Sequence, residues 1–346
     1  MTDTVRVHCL NTDEYKDVRV GSSLEELIEV FGVKKPYLVA NAKVNNKTES
    51  LAYQVYRPRR VEYVDISDSS AMRTYVRSLC FVLAKAVDDT LPNSEVYIEH
   101  AVSRGYYFNI ESDVKVGEKE LLTVKNRMQE IIDADIPFVQ VEEEIAEVVK
   151  LFRENRMEDK ALLLETSDDL LYARYSKLDN YIDYYYGCLL PSSAYLRLFD
   201  VVPYNGGFLL VVPNRQDPVE LEPVIPQQKL LKVYREHLEF LKISKLDNVG
   251  DLNKAIRTNK ISEIIQVSEA YQANEIADIA KEITERYNDG LRVVLISGPS
   301  SSGKTTFRKR LEVQLYVNRL KPVGISLDDY FIDRDLTPLD DFGEKD

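Results

Sequence analysis

The sequence has 346 residues, of which 44% are apolar and 30% carry a charge. Its length suggests about two or three domains, and its apolar fraction can fill packed cores. The net charge of −13 argues against broad, nonspecific binding of nucleic acid, although a local basic patch remains possible.

The cysteines and histidines exclude several kinds of protein. Cys9, Cys80 and Cys188 are odd in number and far apart, so neither a disulfide framework nor a zinc spacing is visible. A reducing, cytoplasmic setting is therefore expected. The N-terminus lacks a signal segment and no apolar run approaches membrane-spanning length, so no membrane contact is predicted.

Residues 1–67 are predicted to form a small α/β domain. Alternating apolar residues near Val5 and Val18 indicate strands, and a helix is predicted from Leu24 to Phe31 with a serine cap before it and Gly32 after it. Further strands are predicted at 37–40 and 61–64. Residues 39–45 (VANAKVN) resemble a strand and turn of the TGS domain, a ubiquitin-like β-grasp fold found in threonyl-tRNA synthetases and some GTPases.

Residues 68–225 are predicted to form an α+β domain with a helix at 75–86 and a strand at 105–110. This stretch resembles the second, editing-type domain of threonyl- and alanyl-tRNA synthetases. In that family two histidine-containing pairs surround a metal. The resemblance places those pairs on Arg77 and Phe81 and on Tyr185 and Leu189, none of which is a zinc ligand. No metal and no editing activity are therefore expected.

A tyrosine-rich patch and a basic run allow two interpretations. Strand packing is the favoured interpretation of the tyrosines, and a stacking platform for RNA bases is the alternative. Arg57, Arg59 and Arg60 either contact phosphates or lie in a solvated loop. The patch consists of Tyr172, Tyr175, Tyr181, Tyr184, Tyr185 and Tyr186.

Residues 226–290 are predicted to be helical, because Leu and Ile recur there at spacings of three and four. A helical connector is the favoured interpretation, and a dimerising hairpin is the alternative.

Residues 291–346 contain the most specific motif of the chain, a phosphate-binding loop between a predicted strand at 292–296 and a predicted helix at 304–320. Two glycines let the backbone amides turn toward phosphate oxygens, and the lysine adds a charge. Thr305 is placed to bind Mg²⁺ beside ATP. The predicted nucleotide-binding residues are Gly298, Pro299, Ser300, Ser301, Ser302, Gly303, Lys304, Thr305 and Thr306.

A second motif follows a predicted parallel strand at 323–327. Asp328 would lie at the carboxyl end of that strand, where it could activate a hydroxyl for attack on the γ-phosphate. Together with the loop, residues 326–331 (SLDDYF) resemble the uridine kinase and phosphoribulokinase family. That resemblance makes Asp328 the general base, with Lys304 as the other catalytic residue, and assigns substrate contacts to Tyr330 and Phe331.

The resemblance implies a three-part protein that ends in an incomplete P-loop kinase domain of parallel α/β type. The parent protein is expected to be a phosphotransferase that moves the γ-phosphate of ATP to a hydroxyl, of a nucleoside or a similar small molecule. The chain itself is expected to be inactive, since 291–346 holds only one βαβ unit. The alternative is an RNA- or ribosome-binding module with nucleotide-dependent regulation. A third hypothesis is an ATP sensor without phosphoryl transfer.

Overall fold

The computed structural model describes residues 4–167, 170–330, 332 and 336–338. Contacts along the chain divide it into two compact units, Met1–Lys254 and Ala255–Asp346. Within the described residues, no helix has both the length and the apolar character needed to cross a membrane.

The first unit begins with a mixed sheet of order β2-β1-β7-β4-β5, in which β1 and β7 run parallel and the other neighbours antiparallel. A short pair, β3 and β6, stands beside it. The strands are β1 (Thr4–Cys9), β2 (Glu14–Arg19), β3 (Ser22–Ser23), β4 (Val39–Val44), β5 (Lys47–Glu49), β6 (Gln54–Val55) and β7 (Arg59–Asp65).

Helix α1 (Leu24–Phe31) covers this sheet, and its limits follow the sequence prediction. The Ser23 hydroxyl accepts from the amide of Glu26, the Glu26 carboxylate accepts from the amide of Ser23, and Gly32 ends the helix with φ +61°. Leu24, Leu27 and Phe31 are buried against the strands. Each such side chain stabilises the fold by about 2 kcal/mol.

Helix α2 (Ser69–Thr90) is the centre of the next part of the first unit and is buried on nearly every side. It contacts α3 (Glu118–Asp133) and strands from three sheets. One is the four-stranded antiparallel sheet β13-β14-β9-β8, and another is the antiparallel sheet β10-β11-β12. Their strands are β8 (Glu95–Val102), β9 (Gly105–Glu111), β10 (Phe138–Glu144), β11 (Tyr172–Leu178), β12 (Tyr181–Asp183), β13 (Asp200–Tyr204) and β14 (Gly207–Val211).

Shorter helices complete the region. Helices α4 (Ile145–Glu154) and α5 (Glu158–Glu165) pack beside β11 around Phe152 and Tyr175. Helices α6 (Gln228–Ser244) and α7 (Val249–Arg257) follow, and Leu231 of α6 joins the core next to β9 and β14. The helical prediction for 226–290 is thus confirmed at the level of secondary structure.

The second unit contains α8 (Ile261–Asn288), α9 (Lys304–Val317) and a 3₁₀ turn at Leu327–Tyr330. The long helices pack through Ile276 and Ala280 of α8 against Leu311 and Leu315 of α9. The mixed α/β class is confirmed for the chain, whereas the parallel sheet predicted around the phosphate loop is absent from the described residues of this unit.

Lys85 supplies a test of the α2 core. Its side chain is 1% exposed, and its ammonium donates to Asn180 Oδ1 at 2.6 Å and to Asp89 Oδ1 at 3.2 Å. We expect Lys85→Ala to lower the free energy of unfolding by about 3–5 kcal/mol, because it breaks a buried ion pair. Urea unfolding followed by far-UV circular dichroism measures this. The control Lys119→Ala, at an exposed site of α3, should change the free energy of unfolding by less than about 0.5 kcal/mol. An equal loss of stability in the two variants would contradict the prediction.

Candidate functional site

The phosphate-binding motif forms a tight loop that leads directly into α9. Gly303 is the residue before the helix and has φ +83°, and Ser301 also lies in the left-handed region at φ +59°. The amide of Ser302 donates to the carbonyl of Pro299 at 3.3 Å. The left-handed residues reverse the chain so that the first unpaired amides of α9 face the loop.

The side chain of Lys304 bonds back to this loop. Its ammonium donates to the carbonyls of Gly298 and Pro299, both at 2.8 Å. A Cβ at position 298 would lie 2.8 Å from Ser302 Oγ, so the loop leaves little room for a side chain there. The lysine therefore stands over the loop, where a phosphate could take the place of the two carbonyls.

A cleft of about 490 Å³ opens beside the loop, between α8 and α9. Ile276, Ile296 and Phe307 give it an apolar wall, and Gln272 and Arg310 give it a polar one. Arg310 donates to the Gln272 side-chain carbonyl. Lys304 and Thr306 line the end of the cleft that meets the loop. An anionic ligand on the loop would thus have a partly apolar recess next to it.

The strands predicted on either side of the loop are wrong. Residues 292–296 and 323–327 form no strand, and their apolar side chains are exposed, Leu295 at 89% and Val323 at 84%. A strand of a parallel sheet is stabilised by neighbouring strands and by helices on both faces. The described residues of the second unit supply only helices, so these apolar runs have nothing to pair with.

The second predicted motif is separate from the loop. Asp328 lies exposed in the 3₁₀ turn rather than at the end of a strand, and within the described part no hydrogen bond or ion pair joins it to the loop. Tyr330 is 71% exposed in the same turn. Phe331 lies outside the described residues. The structure therefore brings the residues 298–306 together but not the predicted substrate contacts.

The loop residues suit a nucleotide with Mg²⁺. Thr305 and Thr306 are exposed at the first turn of α9, and the Thr305 hydroxyl has no partner in the described part of the chain. A hydroxyl and phosphate oxygens are hard ligands of the kind that Mg²⁺ prefers. Among the residues described, no group of three or more His, Cys, Asp or Glu side chains could hold a metal by itself. A magnesium ion here would therefore depend on the phosphates.

In the first unit, the positions that correspond to the editing-type metal pairs are filled by packing. The Phe81 ring lies 5.1 Å from that of Tyr185 and 5.7 Å from that of Phe138, and Leu189 is buried. Arg77 donates to the carbonyl of Cys188 at 2.7 Å. Aromatic rings and a guanidinium thus occupy the place that the resemblance assigns to the metal pairs, and the lack of a metal site stays a prediction.

The tyrosines are divided between core and surface. Tyr175 is buried, and burial raises the pKa of Tyr181 and of Tyr185 well above the usual range for a phenol. Tyr172 and Tyr186 are exposed, at 55% and 72%. Packing accounts for most of the patch, as favoured from the sequence, and two rings remain accessible.

The basic run leads into β7, the middle strand of the first sheet, and forms local contacts there. Arg59 donates to the Tyr53 hydroxyl at 3.4 Å, and Arg60 donates to Asn46 Oδ1 at 3.2 Å. Arg57 is exposed. The solvated-loop interpretation therefore fits only Arg57, since Arg59 and Arg60 belong to β7.

No family model matches the chain. Similar proteins do exist among the threonine–tRNA ligases. That of Syntrophomonas wolfei is 28% identical over 189 residues, covering 54% of this chain and 30% of the relative. Those of Desulforamulus reducens and Rubrobacter xylanophilus are 24% identical over 200 and 229 residues, covering 58% and 65% of this chain and 31% and 35% of the relatives. The chain thus spans no more than 35% of these three relatives.

These relatives correct the function predicted from the sequence. The resemblance to threonyl-tRNA synthetases is confirmed, and it supports the TGS-like and editing-like architecture. The prediction of a uridine kinase-like phosphotransferase with a nucleoside substrate is wrong, because the similar proteins are named as ligases of threonine and tRNA. The general-base role of Asp328 was predicted for that phosphoryl transfer, so it is withdrawn together with the kinase prediction.

The thiols next to Arg77 permit a test of the described packing. Cys188 is partly exposed, whereas Cys9 and Cys80 are buried and burial raises the pKa of Cys80 to about 12. At pH values well below the pKa the Cys80 thiol stays protonated, and only the thiolate attacks alkylating agents. We therefore expect iodoacetamide near pH 8 to modify Cys188 at least about tenfold faster than the other two thiols. Peptide mass spectrometry of the modified chain measures the rate at each thiol. Faster modification of Cys80 than of Cys188 would contradict the prediction.

Proposed function

We propose that this chain is an RNA-binding protein whose RNA contact is regulated by a nucleoside triphosphate. The first unit, with a TGS-like β-grasp domain at 1–67 and an editing-like domain at 68–225, binds an RNA of the tRNA class. A helical connector at 226–290 leads to the phosphate loop, which holds ATP with Mg²⁺.

The similarity to threonine–tRNA ligases supports the RNA-binding part of this proposal. Their printed names contain tRNA, and they match 54–65% of the chain. The net charge of −13 requires that any RNA contact be confined to a local cationic surface. The packed rings at Phe81 and Tyr185 occupy the place that the resemblance assigns to metal ligands, so the proposal gives the first unit a binding role.

The loop geometry supports the nucleotide half. Left-handed residues at Ser301 and Gly303 turn the chain into the start of α9, whose free amides and positive dipole end favour phosphate. Lys304 exchanges two carbonyl partners for phosphate oxygens, and Thr305 offers a hydroxyl to Mg²⁺. When bound, the magnesium ion neutralises phosphate charge. The neighbouring cleft receives the uncharged part of the ligand, against Ile276 and Phe307.

The RNA half predicts salt-dependent binding. Labelled tRNA titrated with the full chain should bind, and its dissociation constant should rise about tenfold or more between ~50 and ~200 mM salt, because bound arginines release counterions from the phosphates. Fluorescence anisotropy measures both quantities. A DNA duplex of equal length is the control, and absence of tRNA binding at the lower salt concentration would overturn this half.

The nucleotide half predicts a loss of binding in Lys304→Ala. Removal of the ammonium should weaken binding of a fluorescent MgATP analogue by about 10–100-fold, the usual range for a charge-assisted hydrogen bond. Lys309→Ala removes an exposed lysine from the same helix and should leave the affinity unchanged. Equal affinity of the two variants would contradict a role of the loop.

Regulation is tested by linkage between the two ligands. If ATP changes the affinity for tRNA by some factor, tRNA must change the affinity for ATP by the same factor. The factor by which ATP changes the tRNA affinity of the full chain should equal the factor by which tRNA changes its ATP affinity. Lys304→Ala should remove both changes. Two independent affinities would leave RNA binding in place but exclude regulation by the nucleotide.

A further inference from the structure

The cleft beside the phosphate loop extends away from that loop along α9. Lys304, Phe307 and Arg310 line it at intervals of three residues, so they follow one another along one side of the helix. Gln272 and Ile276, four residues apart on α8, line the opposite wall. Six residues separate Arg310 from Lys304, which is about 9 Å along a helix axis. The far end of the cleft is thus set apart from the phosphate end, with room between them for a sugar.

The middle of the cleft is apolar and includes an aromatic ring. Ile276 is buried and Phe307 is half-buried, and both belong to the small core between α8 and α9. The volume of about 490 Å³ lies within the range of pockets that bind small molecules. A flat ring suits these walls, because a nucleobase stacks on an aromatic side chain and needs polar partners only at its edge.

Gln272 supplies a polar edge with a fixed orientation. Arg310 Nη1 donates to Gln272 Oε1. A guanidinium group can only donate, so this contact determines which side of the amide carries the oxygen. The oxygen has a second lone pair, and the amide nitrogen has no hydrogen-bond partner within the described part of the chain. Gln272 therefore offers one acceptor and one donor, side by side.

This pair of groups matches adenine better than guanine. The amino group at N6 of adenine donates and its N7 accepts, and a glutamine amide can bind both at once. At the same edge guanine has two acceptors, O6 and N7, so its O6 would face the Gln272 carbonyl. The amino group of guanine needs an acceptor such as a carboxylate, and none of the cleft-lining residues that the structure describes is Asp or Glu.

We propose that Gln272 selects the adenine base of the bound nucleotide and that Phe307 stacks on the adenine ring. Arg310 is a positioning residue, because it holds the Gln272 amide in the orientation that adenine requires. This inference rests on the proposed binding of a nucleoside triphosphate at the loop, and it identifies the base specificity of that site. The loop and Lys304 contact phosphates, which every nucleotide shares, so the selection of the base comes from the cleft.

Selectivity between two nucleotides is the first test. The full chain should bind MgATP at least about tenfold more tightly than MgGTP, the usual discrimination from one bidentate contact to a base. Isothermal titration calorimetry measures both dissociation constants. Gln272→Ala should weaken binding of MgATP and bring the two constants within about twofold of each other. The matched control Gln266→Ala removes an exposed glutamine of α8 outside the cleft and should keep the wild-type selectivity.

A change of one atom in the ligand tests the contact itself. In 7-deaza-ATP a C–H group replaces N7, so the Gln272 amide nitrogen loses its acceptor. The analogue should bind the wild-type chain about fivefold more weakly than ATP, the usual effect of one hydrogen bond between neutral groups. Gln272→Ala should bind the analogue and ATP equally. Equal binding of both ligands by the wild-type chain would overturn the contact to N7.

Variants at the two neighbouring residues test their separate roles. Arg310→Ala should lower the selectivity for MgATP over MgGTP, because the Gln272 amide can then rotate, and Arg310→Lys, which keeps a donor, should restore most of it. Phe307→Leu should weaken MgATP binding by about fivefold or more, while Phe307→Tyr, which keeps the ring, should bind as the wild-type chain does. Unchanged selectivity in Arg310→Ala would overturn its positioning role, and equal affinities of the Phe307 variants would overturn stacking.

Magnesium tripolyphosphate, which carries no base, separates this inference from the function on which it rests. It should bind the wild-type chain and Gln272→Ala equally and Lys304→Ala more weakly. If tripolyphosphate binds but MgATP and MgGTP bind with equal affinity, this inference falls alone. If MgGTP binds more tightly, the assignment to adenine is overturned. If neither the nucleotides nor tripolyphosphate bind, the nucleotide half of the proposed function falls and takes the inference with it.

Discussion

The structure of the first unit depends on the burial of helix α2 on nearly all sides. Because this helix contacts strands from three sheets as well as α3, its buried polar side chains must find partners within the core. Lys85 finds them in Asn180 and Asp89, and Ser78 accepts from the amide of Leu190 and donates to the carbonyl of Thr74. The contact between Ser78 and Leu190 fixes the segment that follows Gly187 against the helix, and this brings Cys188 to Arg77.

The same helix also contributes to an aromatic cluster and to a contact near the surface. Phe81 and Tyr185 fill with aromatic volume the positions where the synthetase resemblance places metal ligands. Arg77 extends from the same helix to the surface and is held by a backbone carbonyl rather than by a carboxylate.

In the second unit the phosphate loop and its surroundings obey different constraints. The loop conformation is local, since Gly303, Ser301 and the start of α9 set it within a few residues. The strands expected beside it are not local, because a parallel strand gains stability only from neighbours that bury both of its faces. Val293 and Val323 remain 69% and 84% exposed, so the same sequence pattern that predicts buried strands produces extended apolar segments here.

Periodicity and capping in the sequence predicted α1, the middle of α2 and parts of β1, β2, β4 and β7, since a capping box and an alternating pattern act over a few residues. The short strand β5 was not predicted. The turn at 298–303 was also predicted from its glycine and lysine spacing, and binding of phosphate there stays a prediction. Only the tertiary structure decided which tyrosines pack in the interior, as Tyr175 does, and which stay exposed, as Tyr172 and Tyr186 do. Only tertiary packing, too, could bring the carbonyl of Cys188 to Arg77 on α2. These two residues are far apart in sequence and form no motif, and their contact results from the way sheets and helices pack around a buried helix.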